Sequence, residues 1–362
     1  MSDRLRRRIG FEIELMAPAG ASRRSLADDL AARCGGRVRP VWHRDSEPSL
    51  VPGLGRFLNL TLGFAVDRPD GTPLCTLVDD ITLVDGLDPR VPAPPGWFRV
   101  LSDDSRLLGL LAEQCDPAAP LDTVLDPAAA LWRVKPEQIG DVFRLDDAGG
   151  STIALAAPAG GERERPCEVI TPPLAAGHDE ALEELLAPAR ELGFTVPVEA
   201  AVHLHLDGGP FRRPAALANV VRLFAHWREP LRALLQTNPA CRRLAPLPEP
   251  LVAATTGRLG SGGRPGQPGR PGWDDLSRAA DEGGLTKFFD VNLTQLFAEH
   301  PIRDTVEVRI LPGAIDTDEI VNRAALVELL LERCLMASSL PPVAADPIEQ
   351  LMEFAAEAMA RR

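Results

Sequence analysis

The stretch Ile9-Gly10-Phe11-Glu12-Ile13-Glu14-Leu15 alternates with a period of two, so Phe11, Ile13 and Leu15 share one face and Glu12 and Glu14 the other. A β-strand built on it buries an apolar face and holds two carboxylates side by side opposite. Like charges at that spacing repel, and the repulsion raises at least one pKa unless a cation stands between them. Alone, the pattern describes an edge strand with solvated glutamates, the usual fate of charged residues. Two later stretches with the same alternation argue for more.

Ala201-Val202-His203-Leu204-His205-Leu206-Asp207 sets His203 and His205 opposite an apolar row, and Thr305-Val306-Glu307-Val308-Arg309-Ile310-Leu311 does the same with Glu307 and Arg309. In Arg165-Pro166-Cys167-Glu168-Val169-Ile170-Thr171-Pro172-Pro173-Leu174, Glu168 sits in an extended segment that Pro172-Pro173 terminates. Several carboxylates, one or two imidazoles and an arginine form a donor set suited to hard cations such as Mg2+ or Mn2+. Two such ions would relieve the Glu12–Glu14 repulsion and bind phosphate oxygens. Arg309 beside them suits the equatorial charge of a transferring phosphoryl group.

Between these strands the chain reads as a mixture of helices and strands. Ser22 or Ser25 caps a helix through Ala32 that Gly35-Gly36 closes. Residues 57–66 and 73–78 form a hairpin around Arg68-Pro69-Asp70-Gly71. Trp97 to Leu101 is extended, and Asp103 or Asp104 caps a helix from Ser105 to Cys115. Short strands follow at Val142–Leu145 and Thr152–Ala156. An amphipathic helix runs from Asp179 to about Leu192, with Gly193 as its stop and Pro188 as a candidate kink. Pro214 opens a long helix to Thr237, kinked at Pro230. Residues 257–272 are Gly, Pro, Arg and Ser, the composition of a flexible surface loop. Asp316 with Glu319 starts a helix ending near Ser338, and Asp346-Pro347 begins the terminal one.

The 362 residues, 45% apolar and 25% charged, have a globular composition. A net charge of −13 argues against a nucleic-acid binder, which needs a basic surface. No apolar run approaches the roughly 20 residues that span a bilayer. The basic N-terminus meets Glu12 too early for a secretory signal. The six cysteines are scattered without a C-x-x-C pair, which disfavours structural zinc and points to reduced thiols in the cytoplasm.

Gly-Phe-Glu-Ile-Glu at 10–14, Cys-Glu-Val-Ile-Thr-Pro-Pro-Leu at 167–174, His-Leu-His-Leu-Asp at 203–207, Asp-Val-Asn-Leu at 290–293 and Thr-Val-Glu-Val-Arg-Ile at 305–310 resemble, in this order, the motifs of the amidoligase family. That family is part of the glutamine synthetase and γ-glutamylcysteine ligase superfamily of ATP-dependent carboxylate–amine ligases. The resemblance implies an α+β, glutamine synthetase-like fold, with a curved, mainly antiparallel sheet forming an active-site funnel backed by helices. It implies one catalytic domain over residues 1–340 with a C-terminal helix, 341–362, packed on it.

The resemblance also implies roles. Glu12 would share one Mg2+ with His203 and Glu307, and Glu14 and Glu168 would hold the other. Arg309 would contact ATP phosphates, with Lys287 as a helper. The substrate carboxylate is phosphorylated, and an amine attacks the acyl phosphate to give an amide. His205, Asp103, Asp104, Ser105 and Asn292 are candidates to face substrate, a small-molecule or peptide carboxylate or amine. The second cation needs one more carboxylate, for which Asp79, Asp80, Asp103 and Asp104 compete, while Asp103-Asp104-Ser105 resembles the family's Asp-x-Ser region, with Asp45-Ser46 as a second contender for it. A homo-oligomer is compatible with all of this. Two alternatives stand beside the ligase. His-x-His near a strand end also occurs in amidohydrolase-type metal hydrolases, and an incomplete second metal site would suit a ligase fold kept as a binding module.

Overall fold

The computed structural model describes residues 4–48, 56–241, 243–255 and 272–362. The loop expected at 257–272 lies outside the described residues except for Gly272, which caps a helix. In chain order the described elements are β1 (Ile9–Met16), α1 (Arg23–Cys34), β2 (Arg37–Pro48), β3 (Arg56–Asp67), β4 (Pro73–Val78), β5 (Phe98–Ser102), α2 (Ser105–Gln114) and α3 (Asp126–Trp132). Next come β6 (Glu137–Ile139), β7 (Val142–Asp146), β8 (Thr152–Pro158), β9 (Pro166–Ile170), α4 (His178–Glu191), β10 (Ala201–Asp207), α5 (Pro214–His226) and α6 (Arg228–Leu235). The last are α7 (Glu249–Thr255), α8 (Trp273–Glu282), β11 (Val291–Asn292), α9 (Thr294–Phe297), β12 (Thr305–Pro312), α10 (Thr317–Cys334) and α11 (Pro347–Met359). The fold is α+β, and the strand ladders are antiparallel. Among the described residues no helix is long and apolar enough to cross a membrane.

The chain divides into two compact units. One comprises Met1–Ile13, Pro173–Leu186 and Val198–Arg362, and the other Glu14–Pro172 and Ala187–Pro197.

In the unit that begins at Glu14, β9 pairs β4, β4 pairs β3, β3 pairs β5, β5 pairs β8, and β7 joins β8 to β6. The alternation of β3 and β5 sends Leu60, Phe98 and Val100 into a core closed by Leu107, Leu108 and Leu111 of α2 and Ala128 and Ala129 of α3. Asp104 caps α2, its carboxylate accepting from the Arg106 and Leu107 amides. Gly35 ends α1 in the left-handed conformation. A Cβ on Gly36 would lie 2.1 Å from the Asp67 carbonyl oxygen, so only glycine fits where β2 starts against β3.

β2 is the strand that local pattern conceals. It pairs β3 residue for residue from Arg37↔Asp67 to Pro48↔Arg56. Charged residues and Pro40 interrupt its alternation, and proline is tolerated because, among the described residues, β2 pairs with β3 alone. Arg39 Nε lies 2.6 Å from Asp67 Oδ2, and Arg37 Nε 3.4 Å away. The hydrogen bond from Arg39 holds the Asp67 carboxyl below its ordinary value. A depressed folded pKa means that this stability is present above the unfolded value and lost as pH falls through the folded one. Asp67→Asn is therefore expected to lower the urea midpoint at pH 7 more than at pH 3. An equal loss at both would assign the effect to shape rather than charge.

In the other unit the order β11-β12-β10-β1 is antiparallel throughout. An amidohydrolase-type barrel is built from parallel strands, so the antiparallel neighbours on both sides of the His-x-His strand remove that alternative. Among the helices of this unit Trp227 is buried, its Nε1 donating to Gln350 Oε1 at 2.9 Å and its ring meeting Phe354 edge-on. Trp227 is also where the long helix expected from Pro214 breaks, in place of a kink at Pro230. Pro230 falls in the first turn of α6, where its missing N–H has no helical acceptor to lose.

Candidate active site

Strand register assembles the first cluster. β1 and β10 align Glu12 with His203, β10 and β12 align His205 with Glu307, and β11 and β12 align Asn292 with Glu307. Between Val202 and Leu204 the partner on β12 moves from Leu311 to Val308, so β12 carries one extra residue. Such a bulge re-aims the side chains beside it. The Arg309 guanidinium there contacts Glu307 Oε1 directly. The Arg309 amide donates to the Asp290 carbonyl at 3.1 Å. Asp290, buried, pairs with Arg228 at 2.7 Å and Arg232 at 3.1 Å, which ties the start of β11 to α6.

Every carboxylate oxygen of Glu12 and Glu307 is engaged. Glu12 Oε1 lies 3.1 Å from His205 Nε2 and 2.8 Å from Arg303 Nη1, while Oε2 is 3.3 Å from His203 Nδ1. Glu307 Oε2 accepts from Asn292 Nδ2 at 2.7 Å. Asn292 Oδ1 in turn accepts from the Thr294 amide and hydroxyl, so Asn292 both closes a turn and orients Glu307. His205 Nδ1 is 3.2 Å from Thr305 Oγ1.

Burial pushes the Glu12 carboxyl up, but His205 and the bonds from His203 and His205 outweigh it, and the group titrates well below the usual carboxylate range. Burial likewise opposes ionisation of Glu307, and Arg309 foremost overcomes it. For the histidines the balance splits. Burial and the Arg309 charge lower His203, whereas Glu12 raises His205 against the effect of burial. One strand thus presents an imidazole shifted toward the neutral form and one shifted toward the charged form, two residues apart.

Ligand atoms of Glu12, His205 and Glu307 all lie within 4.8 Å of one another, a spacing that could hold a metal ion. His203, expected from sequence beside Glu12 and Glu307, has Nδ1 3.9 Å from Glu307 Oε1. His205, expected to face substrate, joins that trio, and His203 stays within 3.9 Å of both carboxylates.

The second cluster lies in the unit that begins at Glu14. Ligand atoms of Glu14, Asp80 and Glu168 come within 4.8 Å of one another. The β4–β9 register sets Val78 opposite Glu168, so the chain leaving β4 carries Asp79 and Asp80 beside it. The two aspartates divide the work. Asp79, buried, pairs with Arg163, and Asp80 Oδ1 fixes its own turn by accepting from the Thr82 amide and hydroxyl, each at 2.7 Å. Among the carboxylates in contention for the second cation, Asp80 is the one that joins Glu14 and Glu168.

The remaining candidates stand elsewhere. Asp103 and Ser105 are exposed at the junction of β5 and α2. Asp103 lines a small pocket there with Leu101 and Thr152, and the Asp104 carboxylate is spent on its cap. Asp45 stands on β2 opposite Asn59. Lys287 Nζ sits 5.6 Å from the Phe288 ring centroid. Arg303 was not singled out by sequence reasoning. Its one signal is position, two residues ahead of the Glu-x-Arg strand.

A family model described as "putative amidoligase enzyme" matches residues 5–331. Neither a search of curated proteins nor one of solved structures returns a match.

Proposed function

The chain belongs to the family of putative amidoligase enzymes, and from that premise we propose that it is an ATP-dependent carboxylate–amine ligase of glutamine synthetase-like fold. The observation that carries the reading is the trio Glu12–His205–Glu307 in one unit, with a carboxylate cluster, Glu14–Asp80–Glu168, in the other.

The donor chemistry fits two hard cations. Five of the six groups are carboxylates and one is an imidazole, a set that favours Mg2+ or Mn2+ over softer metals. Bound there, the ions would supply Lewis acidity toward phosphoryl oxygens. His203, hydrogen-bonded to Glu12, holds that carboxylate in its orientation, and Asn292 does the same for Glu307. Arg309 is the cation suited to the charge that spreads over a phosphoryl group in transfer. In the proposed reaction the substrate carboxylate attacks the γ-phosphorus of ATP and ADP leaves. The amine then attacks the acyl phosphate carbon, phosphate departs, and the amine nitrogen gives up a proton. A cytoplasmic home, with ATP and Mg2+ at hand, belongs to the same reading.

Calorimetry with ATP at millimolar Mg2+ is expected to register binding, and none would remove the ligase reading. An ADP-release screen over carboxylate and amine pairs then identifies the substrates. Nucleotide binding with no ADP release from any pair would favour a binding module instead.

A further inference from the structure

Among the groups that hold Glu12 and Glu307, Arg303 differs in its exposure. The side chains of His203, His205 and Arg309 are only 5%, 12% and 11% exposed, whereas that of Arg303 is 53% exposed. Its backbone is nonetheless anchored. Gln295 Oε1 accepts from the Ile302 and Arg303 amides at 3.0 and 3.4 Å, the Thr305 amide donates to the Arg303 carbonyl at 2.9 Å, and Arg212 pairs with the next residue, Asp304, at 2.6 Å. A long cationic side chain on a fixed root therefore reaches in from solvent and ends on Glu12 Oε1, 2.8 Å away. That oxygen belongs to a carboxylate in the Glu12–His205–Glu307 trio.

We propose that Arg303 is a displaceable cation: it occupies Glu12 until a divalent metal takes that carboxylate, and then returns to water. The proposal rests on reading Glu12, His205 and Glu307 as a metal site. A divalent ion on that oxygen repels the guanidinium beside it more strongly than the singly charged groups now there repel each other, so metal binding favours the departure of one of them. The leaving group is the one whose departure costs least. Withdrawing Arg309 or a histidine would strand a buried partner. The half-exposed guanidinium regains hydration, and its pairing is worth little to begin with. The metal-free carboxylate is meanwhile kept ionised and oriented, and metal entry costs no rearrangement of β1, β10 or β12. Arg303 is a positioning residue in this account, acting on the site through Glu12.

Two measurements test it. Titration of the full chain with Mn2+ alone, followed by calorimetry, is expected to give R303Q an affinity roughly two- to fivefold tighter than wild type, the value of an exposed ion pair. Equal or weaker affinity overturns the displacement and leaves the metal site standing. No Mn2+ binding by either protein removes the metal site itself, and the proposal with it. Second, the Arg303 Nε–H resonance, assigned by its loss in R303Q, should move toward the position of solvent-exposed arginine as Mg2+ is added. A resonance that stays where it was while Mg2+ binds overturns the proposal.

Discussion

Glu14→Gln is expected to cut ADP release by about a hundredfold or more while leaving the fold intact. Glu14 is buried and joins Asp80 and Glu168 within 4.8 Å, so each member of that cluster is a carboxylate. The amide keeps the size of the side chain and removes its charge, weakening any cation held there. Disturbing even the supports of a metal ligand costs about 10–100-fold, and loss of a ligand should cost at least that. Folding responds less, because the amide keeps the size and shape of the buried side chain. Thermal stability without metal is expected to stay close to wild type. Turnover assays beside melting curves check both halves, and unchanged turnover would contradict the role given to Glu14.

Arg309→Gln should lower both activity and stability. Arginines that stabilise a phosphoryl in transfer are worth about 10³–10⁵ in rate, so ADP release should fall about a thousandfold. The structural cost comes from Glu307, which is nearly buried and loses its cationic partner. Breaking a buried pair from one side costs about 3–5 kcal/mol. The pH dependence follows. In the wild type the Glu307 carboxyl titrates low, because Arg309 foremost overcomes burial. Its stabilisation is present above the unfolded pKa and disappears as pH falls through the folded one. Without Arg309, burial prevails and the carboxyl is raised, so the variant recovers as acid protonates it. The stability gap is expected to be widest at pH 7 and to narrow toward pH 4.5 in urea melts. Mg2+ at pH 7 should restore part of the loss by supplying the missing charge. A gap independent of pH and Mg2+ would show that Arg309 contributes packing alone.

Legibility differed between elements for physical reasons. β1, β10 and β12 were readable because each carries an uninterrupted apolar row on one side. α2 was readable from its aspartate cap. β2 was not, because an edge strand can carry Pro40 and a run of charges without penalty to the core. α3 was missed because one turn of alanines in a seven-residue helix leaves no periodic signature. The break at Trp227 was misplaced onto Pro230, since proline disrupts a helix interior but suits a first turn, and sequence alone does not say which turn it occupies.

The same contrast holds for the site. Glu12, Glu14, His203, His205, Glu307 and Arg309 were identifiable from strand period, which is a local property: successive side chains of any strand alternate in direction. What local pattern could not decide was which of them meet. The β4–β9 register brings Asp80 to Glu14 and Glu168 while Arg163 claims Asp79. The pairing of β10 with both β1 and β12 makes His205 the imidazole in the trio with Glu12 and Glu307 and leaves His203 bonded beside it. Arg303 reaches Glu12 across 291 residues of sequence. Strand alternation, written in neighbouring residues, supplied the candidates. Register, set by packing between segments distant in the chain, sorted them into two clusters and set an arginine on one.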